Sequence, residues 1–253
     1  MPLNHSDIYF VNEIMSKFVA LLITICLLAS CNKPDKMDTI LLNIPATPVD
    51  TVAPKTYLAL GDSYTIGQSV AISQRFPEQV VAILNDRGVK FVEPEIIAQT
   101  GWTTQNLLDR LQAAAPLKQQ YDIVTLLIGV NNQYDHLSRG EYADQFLVLL
   151  NKAIGYAGNS KKRVIVLSIP DYSVTPFASG SNQALIANEI DQFNAINKNI
   201  SDSLKVQYVD ITPSSRLAAN NLSLVATDGL HPSGLEYKVW ADEVIPAIIV
   251  ALQ

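Results

Sequence analysis

The sequence predicts an α/β domain, a three-layer α/β/α sandwich in which helices cover both faces of a five-stranded parallel sheet. Three observations predict it. From Thr56 onward, short apolar runs alternate with segments of helical periodicity. Residues 123–128 are apolar except for Thr125, the composition of a strand buried on both faces. The length, 253 residues, suits one α/β domain, or at most two small ones, and is ample for a core. Strands separated by helices in this way pair in parallel through right-handed crossovers.

Each element has its own justification. Tyr57, Leu58, Ala59 and Leu60 form a first buried strand. A helix follows over about 76–87 with Val80, Val81, Ile83 and Leu84 inward; Pro77 suits its first turn and Gly88 lies just past its end. Residues 95–98 make a second, weaker strand, and 104–114 a helix. The third strand, 123–128, leads to a helix near 142–154 and a fourth strand at 164–169. Ile186, Ile190, Phe193, Ile200 and Leu204 recur at spacings of three, four and seven, a helical stripe. Residues 207–209 form the fifth strand. The last helix spans 233–252, with Ser233 and Glu236 placed for a capping box.

The 31 residues at the start read as a targeting segment. Lys17 precedes an apolar run at 18–29, shorter than the roughly 20 residues that cross a bilayer but suited to a signal-peptide core. Leu28-Ala29-Ser30-Cys31 resembles the bacterial lipobox, which implies lipidation at Cys31 and attachment to a membrane. Asn32 after the cysteine resembles a signal for the outer membrane of Gram-negative bacteria, hence a cell-envelope location. An ordinary signal peptide with an incidental cysteine is the alternative. Residues 32–55, with prolines at 34, 45, 48 and 54, read as an extended tether, and 56–253 as the folded domain.

Composition narrows the chemistry. With 18 Lys+Arg against 24 Asp+Glu and no basic run beyond 161–163, no nucleic-acid partner is expected. Cys26 and Cys31 both fall in the targeting segment, so disulfides, a thiol nucleophile and cysteine-based zinc sites are not expected in the domain. Beyond His5, only His136 and His231 remain as histidine bases. With two histidines, no thiol and no EF-hand spacing, neither a metal nor a cofactor is expected.

In parallel sheets function gathers beyond the carboxyl ends of the strands. Those ends carry Gly61-Asp62-Ser63-Tyr64, Thr100-Gly101 and Gly129-Val130-Asn131-Asn132, and the long segment after strand five delivers Thr227-Asp228-Gly229-Leu230-His231-Pro232.

Over about 56–253 the chain resembles the SGNH hydrolase superfamily, the GDSL-type esterases and lipases. Its four named blocks are matched in order by Ser63, Gly101, Asn131 and His231, with Asp228 three residues before the histidine. The resemblance implies a flavodoxin-like strand order, 2-1-3-4-5, and hydrolysis of carboxylic esters. Ser63 is then the nucleophile, His231 its general base and Asp228 the group that orients the imidazole. The oxyanion hole comprises the backbone N–H groups of Ser63 and Gly101 and the side-chain amide of Asn131. Thr65 stands where the GxSxG elbow of α/β-hydrolases has its second glycine, so the nucleophile is not of that type.

Tyr64, Asn132, Tyr134 and Tyr172 are the side chains expected at the substrate, and the 170–182 loop with Phe177 is expected to shape acyl choice. A Tyr-bearing rim, including Gln68, favours short acyl groups, with carbohydrate O-acetyl esters one such class. The rivals are a lipase or lysophospholipase of the same family, and a lipid-anchored binding protein without activity. Asn132 departs from the Gly-x-Asn-Asp of many members, which puts the hydrogen bonding of its loop in question. His136 reads as a solvated loop histidine, with substrate contact as the alternative. Taken singly, each block has a structural explanation: Ser63 as an N-cap, Gly101 as a turn, Asn131 bonding its own loop, Asp228-Gly229 as a turn. Together these require four coincidences at one rim.

Overall fold

Strand β1 (Tyr57–Gly61) runs down the interior of the molecule between two parallel neighbours, β2 (Glu95–Ala98) and β3 (Ile123–Leu127). The fold is seen in a computed structural model that describes residues 53–253. The targeting segment with Cys31, and the tether as far as residue 52, lie outside the described residues. Strands β4 (Val164–Leu167) and β5 (Gln207–Val209) complete an all-parallel sheet of order β2-β1-β3-β4-β5, the order the resemblance implied.

All residues of β1, β3 and β4 are buried, as their unbroken apolar runs require, whereas β2 and β5 close the two edges and are only half buried. On one face α2 (Phe76–Asp86) packs against the final long helix, where Phe76 stacks on Tyr237 with centroids 6.4 Å apart. The other face is covered by α3 (Thr104–Ala113), α5 (Arg139–Tyr156) and α6 (Gln183–Leu204), which bury Leu107, Tyr142, Phe146, Leu149 and Phe193. The final helix, α8 (Gly234–Ala251), runs through Pro246. Burial of Trp240, Val244, Ile245 and Ile248, about 1.5–3 kcal/mol for each such side chain, outweighs the roughly 3 kcal/mol that an interior proline costs.

The elements read from periodicity are present, with ends that differ for local reasons. α5 begins three residues earlier than expected because the Ser138 hydroxyl accepts from the N–H of Glu141 and caps it. The capping box at α8 is half formed. The Ser233 hydroxyl accepts from Glu236 N–H at 3.4 Å, but the Glu236 carboxylate accepts instead from the Trp240 indole at 2.7 Å. Three short helices were not expected: α1 (Ser63–Ile66), α4 (Val130–Tyr134) and α7 (Thr212–Ser215). At four or five residues they are too short to show a period.

Register decides where chemistry can occur. Gly61 pairs with Ala98 on one side and Leu127 on the other, so three strands stop in one row. With neighbours about 4.8 Å apart, the residues just beyond that row emerge side by side.

Candidate active site

Each block enters the site from a tight turn. At the end of β1, a Cβ on Gly61 would overlap the Thr65 hydroxyl and the Leu127 carbonyl, so only glycine lets the chain turn there. Asp62, not Ser63, caps the short helix: its carboxylate accepts from Tyr64 N–H at 3.0 Å. Ser63 is thereby the first residue of α1. The second carboxylate oxygen of Asp62 is buried without a partner, and burial pushes this carboxyl up to about 7 against its backbone hydrogen bonds. Gly101 follows β2 with φ of +80°, a left-handed conformation that favours glycine. Asn131 lies in the first turn of α4, where its amide donates to the Trp102 carbonyl at 2.9 Å.

The last block is a closed loop. Val225 bridges Pro232, and the N–H of Ala226 donates to the His231 carbonyl at 2.7 Å. Inside it, Asp228 Oδ1 accepts from the N–H groups of Leu230 (2.9 Å) and His231 (3.0 Å). Asp228 Oδ2 meets His231 Nδ1 at 2.7 Å and accepts from the Ser69 hydroxyl at 2.6 Å. Burial alone would raise the Asp228 carboxyl. The Ser69 hydroxyl, the Leu230 N–H and the His231 ring and N–H outweigh it and hold the group far below the ordinary range.

These segments meet at one cleft of about 180 Å³. Ser63, Thr100, Gly101, Asn131 and the buried His231 all line it. Val130, Tyr134, Tyr172, Phe177 and Leu230 make an apolar wall, with the Tyr134, Tyr172 and Phe177 rings mutually 6.0–6.2 Å apart. Since Nδ1 of His231 is engaged by Asp228, Nε2 is the nitrogen left for the cleft. Ser63 and His231 share the cleft without a direct hydrogen bond among those of the described residues. Such contacts commonly tighten only when substrate is bound. The arrangement can therefore deprotonate a hydroxyl and receive a developing negative charge.

The expected substrate residues divide. Tyr134 and Tyr172 line the cleft as expected. Tyr64 reaches it as a buried ring tilted against His231, centroids 5.5 Å apart, backed by Trp240. Asn132 does not reach it, which corrects the expectation. Its side chain is buried, with the carbonyl accepting from Thr104 N–H at 3.0 Å and the amide donating to the Thr104 hydroxyl at 2.7 Å. That pair answers the question raised by the missing aspartate: the amide directs the Thr104 hydroxyl outward to donate to Gln145. His136 is exposed and lines a separate hollow with Arg139 and Glu189. Gln68 accepts from the Thr100 hydroxyl at 2.7 Å. Ser69 carries no mark in the sequence, and Val130 and Leu230 stand there only as members of their blocks.

With this geometry in place, comparison decides the family. The profile of the GDSL-like Lipase/Acylhydrolase family matches residues 59–239. The chain belongs to that family. As a GDSL-family hydrolase it acts on ester substrates. No curated protein sequence matches it. Among solved structures it is similar to TesA, with 18% identity, a TM-score of 0.60 and coverage of 78% of this chain and 100% of that one. It is similar to Axe2, an acetylxylan esterase from Geobacillus stearothermophilus, with 20% identity, a TM-score of 0.57 and coverage of 77% and 94%. The lipase/acylhydrolase from Enterococcus faecalis matches with 19% identity, a TM-score of 0.57 and coverage of 76% and 95%. At these identities the likeness of this GDSL hydrolase to solved structures is one of fold.

Proposed function

We propose that the protein is a serine esterase that cleaves carboxylic esters with short acyl groups through an acyl-enzyme on Ser63. One observation carries the reading: Ser63, Gly101, Asn131 and His231, from four separate segments, line a single cleft, with Asp228 bonded to the histidine. His231 Nε2 takes the Ser63 proton as Oγ bonds to the ester carbonyl carbon. The resulting oxyanion receives the backbone N–H groups of Ser63 and Gly101 and the Asn131 amide. The tetrahedral centre collapses, the ester C–O bond breaks, and the alcohol leaves with the proton from His231. Water, deprotonated by His231, then releases the acid and restores Ser63. Asp228 holds the imidazole by Nδ1 throughout and stabilises its cationic form.

The small cleft volume supports short acyl groups, and the exposed faces of Tyr134 and Phe177 at its rim suit a sugar ring in the alcohol portion. The neighbour named as an acetylxylan esterase agrees with an O-acetyl substrate. Lipase or lysophospholipase action is the second reading, favoured by the apolar wall of Val130, Leu230 and Phe177. A series of p-nitrophenyl esters from acetate to palmitate, run beside acetylated sugars, separates the two. Fluorophosphonate labelling that vanishes in Ser63→Ala is the expected result for either enzyme. Absence of labelling at neutral pH in the wild-type chain favours a binding protein without activity.

We also propose a lipid anchor at Cys31 that holds the domain at the cell envelope, supported by the lipobox-like Leu28-Ala29-Ser30-Cys31. Cys31→Ser is expected to move the protein to the soluble fraction; unchanged membrane retention would refute the anchor.

A further inference from the structure

We propose that Ser69 is a positioning residue of this site, a hydroxyl that sets the Asp228 carboxylate and, through it, the His231 ring. The inference rests on the reading of Ser63, Asp228 and His231 given above.

Three observations point to it. The first is the shared oxygen. Ser69 Oγ donates at 2.6 Å to Asp228 Oδ2, the same atom that meets His231 Nδ1 at 2.7 Å. Oδ1 is already occupied by two backbone N–H groups of its own loop. Ser69, 159 positions away in sequence, is the side chain from outside that loop that grips the carboxylate.

The second is the backbone. Ser69 has φ of +66°, in the left-handed region where a serine is strained and glycine is not. A serine kept in that conformation needs a compensating contact, and the bond to Asp228 supplies it.

The third is the turn that carries it. Gly67 caps the end of α1, and the N–H of Gln68 donates to the Ser63 carbonyl at 3.0 Å, so the turn is fastened to the nucleophile's own residue. Its two successive side chains hold two different segments of the site. Gln68 accepts from the Thr100 hydroxyl at 2.7 Å, beside Gly101, while Ser69 holds Asp228. One turn thus references both the oxyanion side and the base side to Ser63.

The chemical consequence follows from sharing Oδ2 between two donors. The hydroxyl limits rotation of the carboxylate and draws negative charge from the oxygen that faces the imidazole. Without it, the carboxylate orients the ring less well but presents a less shared charge to the imidazolium. The other titratable groups that line a pocket together with His231 are Tyr64 from α1, Tyr134 from α4, Asp171 and Tyr172 from the segment after β4, and Glu236 from α8, none of which a substitution at position 69 removes.

The test uses the full chain with two variants, Ser69→Gly, which keeps the left-handed turn without strain, and Ser69→Ala. Turnover of p-nitrophenyl acetate is measured from acid to neutral pH, beside the melting temperature and fluorophosphonate labelling of Ser63. The hydroxyl is exposed to solvent, so the expected loss is modest: kcat lower by about three- to tenfold in both variants with KM unchanged. The acid limb of the pH profile should move up, a displacement that a merely structural contact does not produce. An equal loss of kcat in the two variants, whatever their melting temperatures, supports the role. Wild-type kcat and acid limb in Ser69→Gly would overturn it, as would a kcat loss confined to Ser69→Ala. A wild-type chain that fails to label overturns the hydrolase reading and this inference together. Normal labelling with an unaltered Ser69→Gly overturns this inference alone.

Discussion

The side-chain amide of Asn131 donates to the backbone carbonyl of Trp102 at 2.9 Å, which ties the turn after β3 to the turn after β2. One N–H of the planar amide is fixed, and the other is left for the cleft that Asn131 lines. Asn131→Ala should reduce kcat for ester hydrolysis by about 10²–10³, the usual cost of one oxyanion donor. Loss of a single partly buried hydrogen bond costs only about 1 kcal/mol, so the melting temperature should fall little. Turnover within a few-fold of wild type would remove Asn131 from the proposed machinery.

Asp228 gives two readouts. Asp228→Asn keeps the shape but favours the wrong imidazole tautomer, and kcat should fall about 10³-fold or more. The native carboxyl is held below its unfolded value, so it contributes stability that is present above the unfolded carboxyl range and is lost as pH falls through the folded value. Thermal melting of the wild type should therefore weaken on acidification, and Asp228→Asn should lack that part of the slope. Parallel melting curves for the two proteins would contradict the assignment.

For Asp62 the sign is reversed. Burial lifts its carboxyl to about 7, so between the ordinary carboxyl range and pH 7 the unfolded chain has lost a proton that the folded chain retains. Stability must then fall as pH rises through that window, by a few kcal/mol at most, and level off above it. Asp62→Asn, which keeps the oxygen that accepts from Tyr64 N–H, should gain relative to wild type as pH goes from 5 to 8. A stability difference that does not change with pH would show that Asp62 is ionised throughout.

Phe177 is about half exposed yet closes the apolar wall with Tyr134 and Tyr172. Phe177→Ala should shift the preferred p-nitrophenyl ester toward longer chains with little effect on stability. An unchanged chain-length profile would place the acyl group elsewhere.

Gly61 is the position least able to accept a methyl group, since a Cβ there meets the Thr65 hydroxyl and the Leu127 carbonyl. Gly61→Ala should destabilise by about 3 kcal/mol through overpacking, read by chemical denaturation. Wild-type stability would mean that the turn relaxes.

Much of this was legible in the chain. Residues 123–128 announced a central strand because nothing polar interrupts them but Thr125, and 95–98 and 207–209 were found despite weak patterns because helices flank them. The four blocks stood out because their residue types match a known chemistry in order. Ser69 was not legible: its partner is 159 positions away, and a serine two residues past a glycine carries no signal. Asn132 misled because adjacency to Asn131 suggests a shared role, whereas successive residues on a helix face different ways. The capping pattern at Ser233 and Glu236 was half right because a buried indole N–H competed for the carboxylate.

The row in which Gly61, Ala98 and Leu127 end has a consequence for how such a chain can change length. A residue added within any of these strands advances its carboxyl end by about 3.3 Å, more than a hydrogen bond tolerates. A residue added in the loops that enter the strands from below alters nothing above. Insertions and deletions can therefore accumulate freely at one end of the sheet, while at the other every strand is measured against its neighbour.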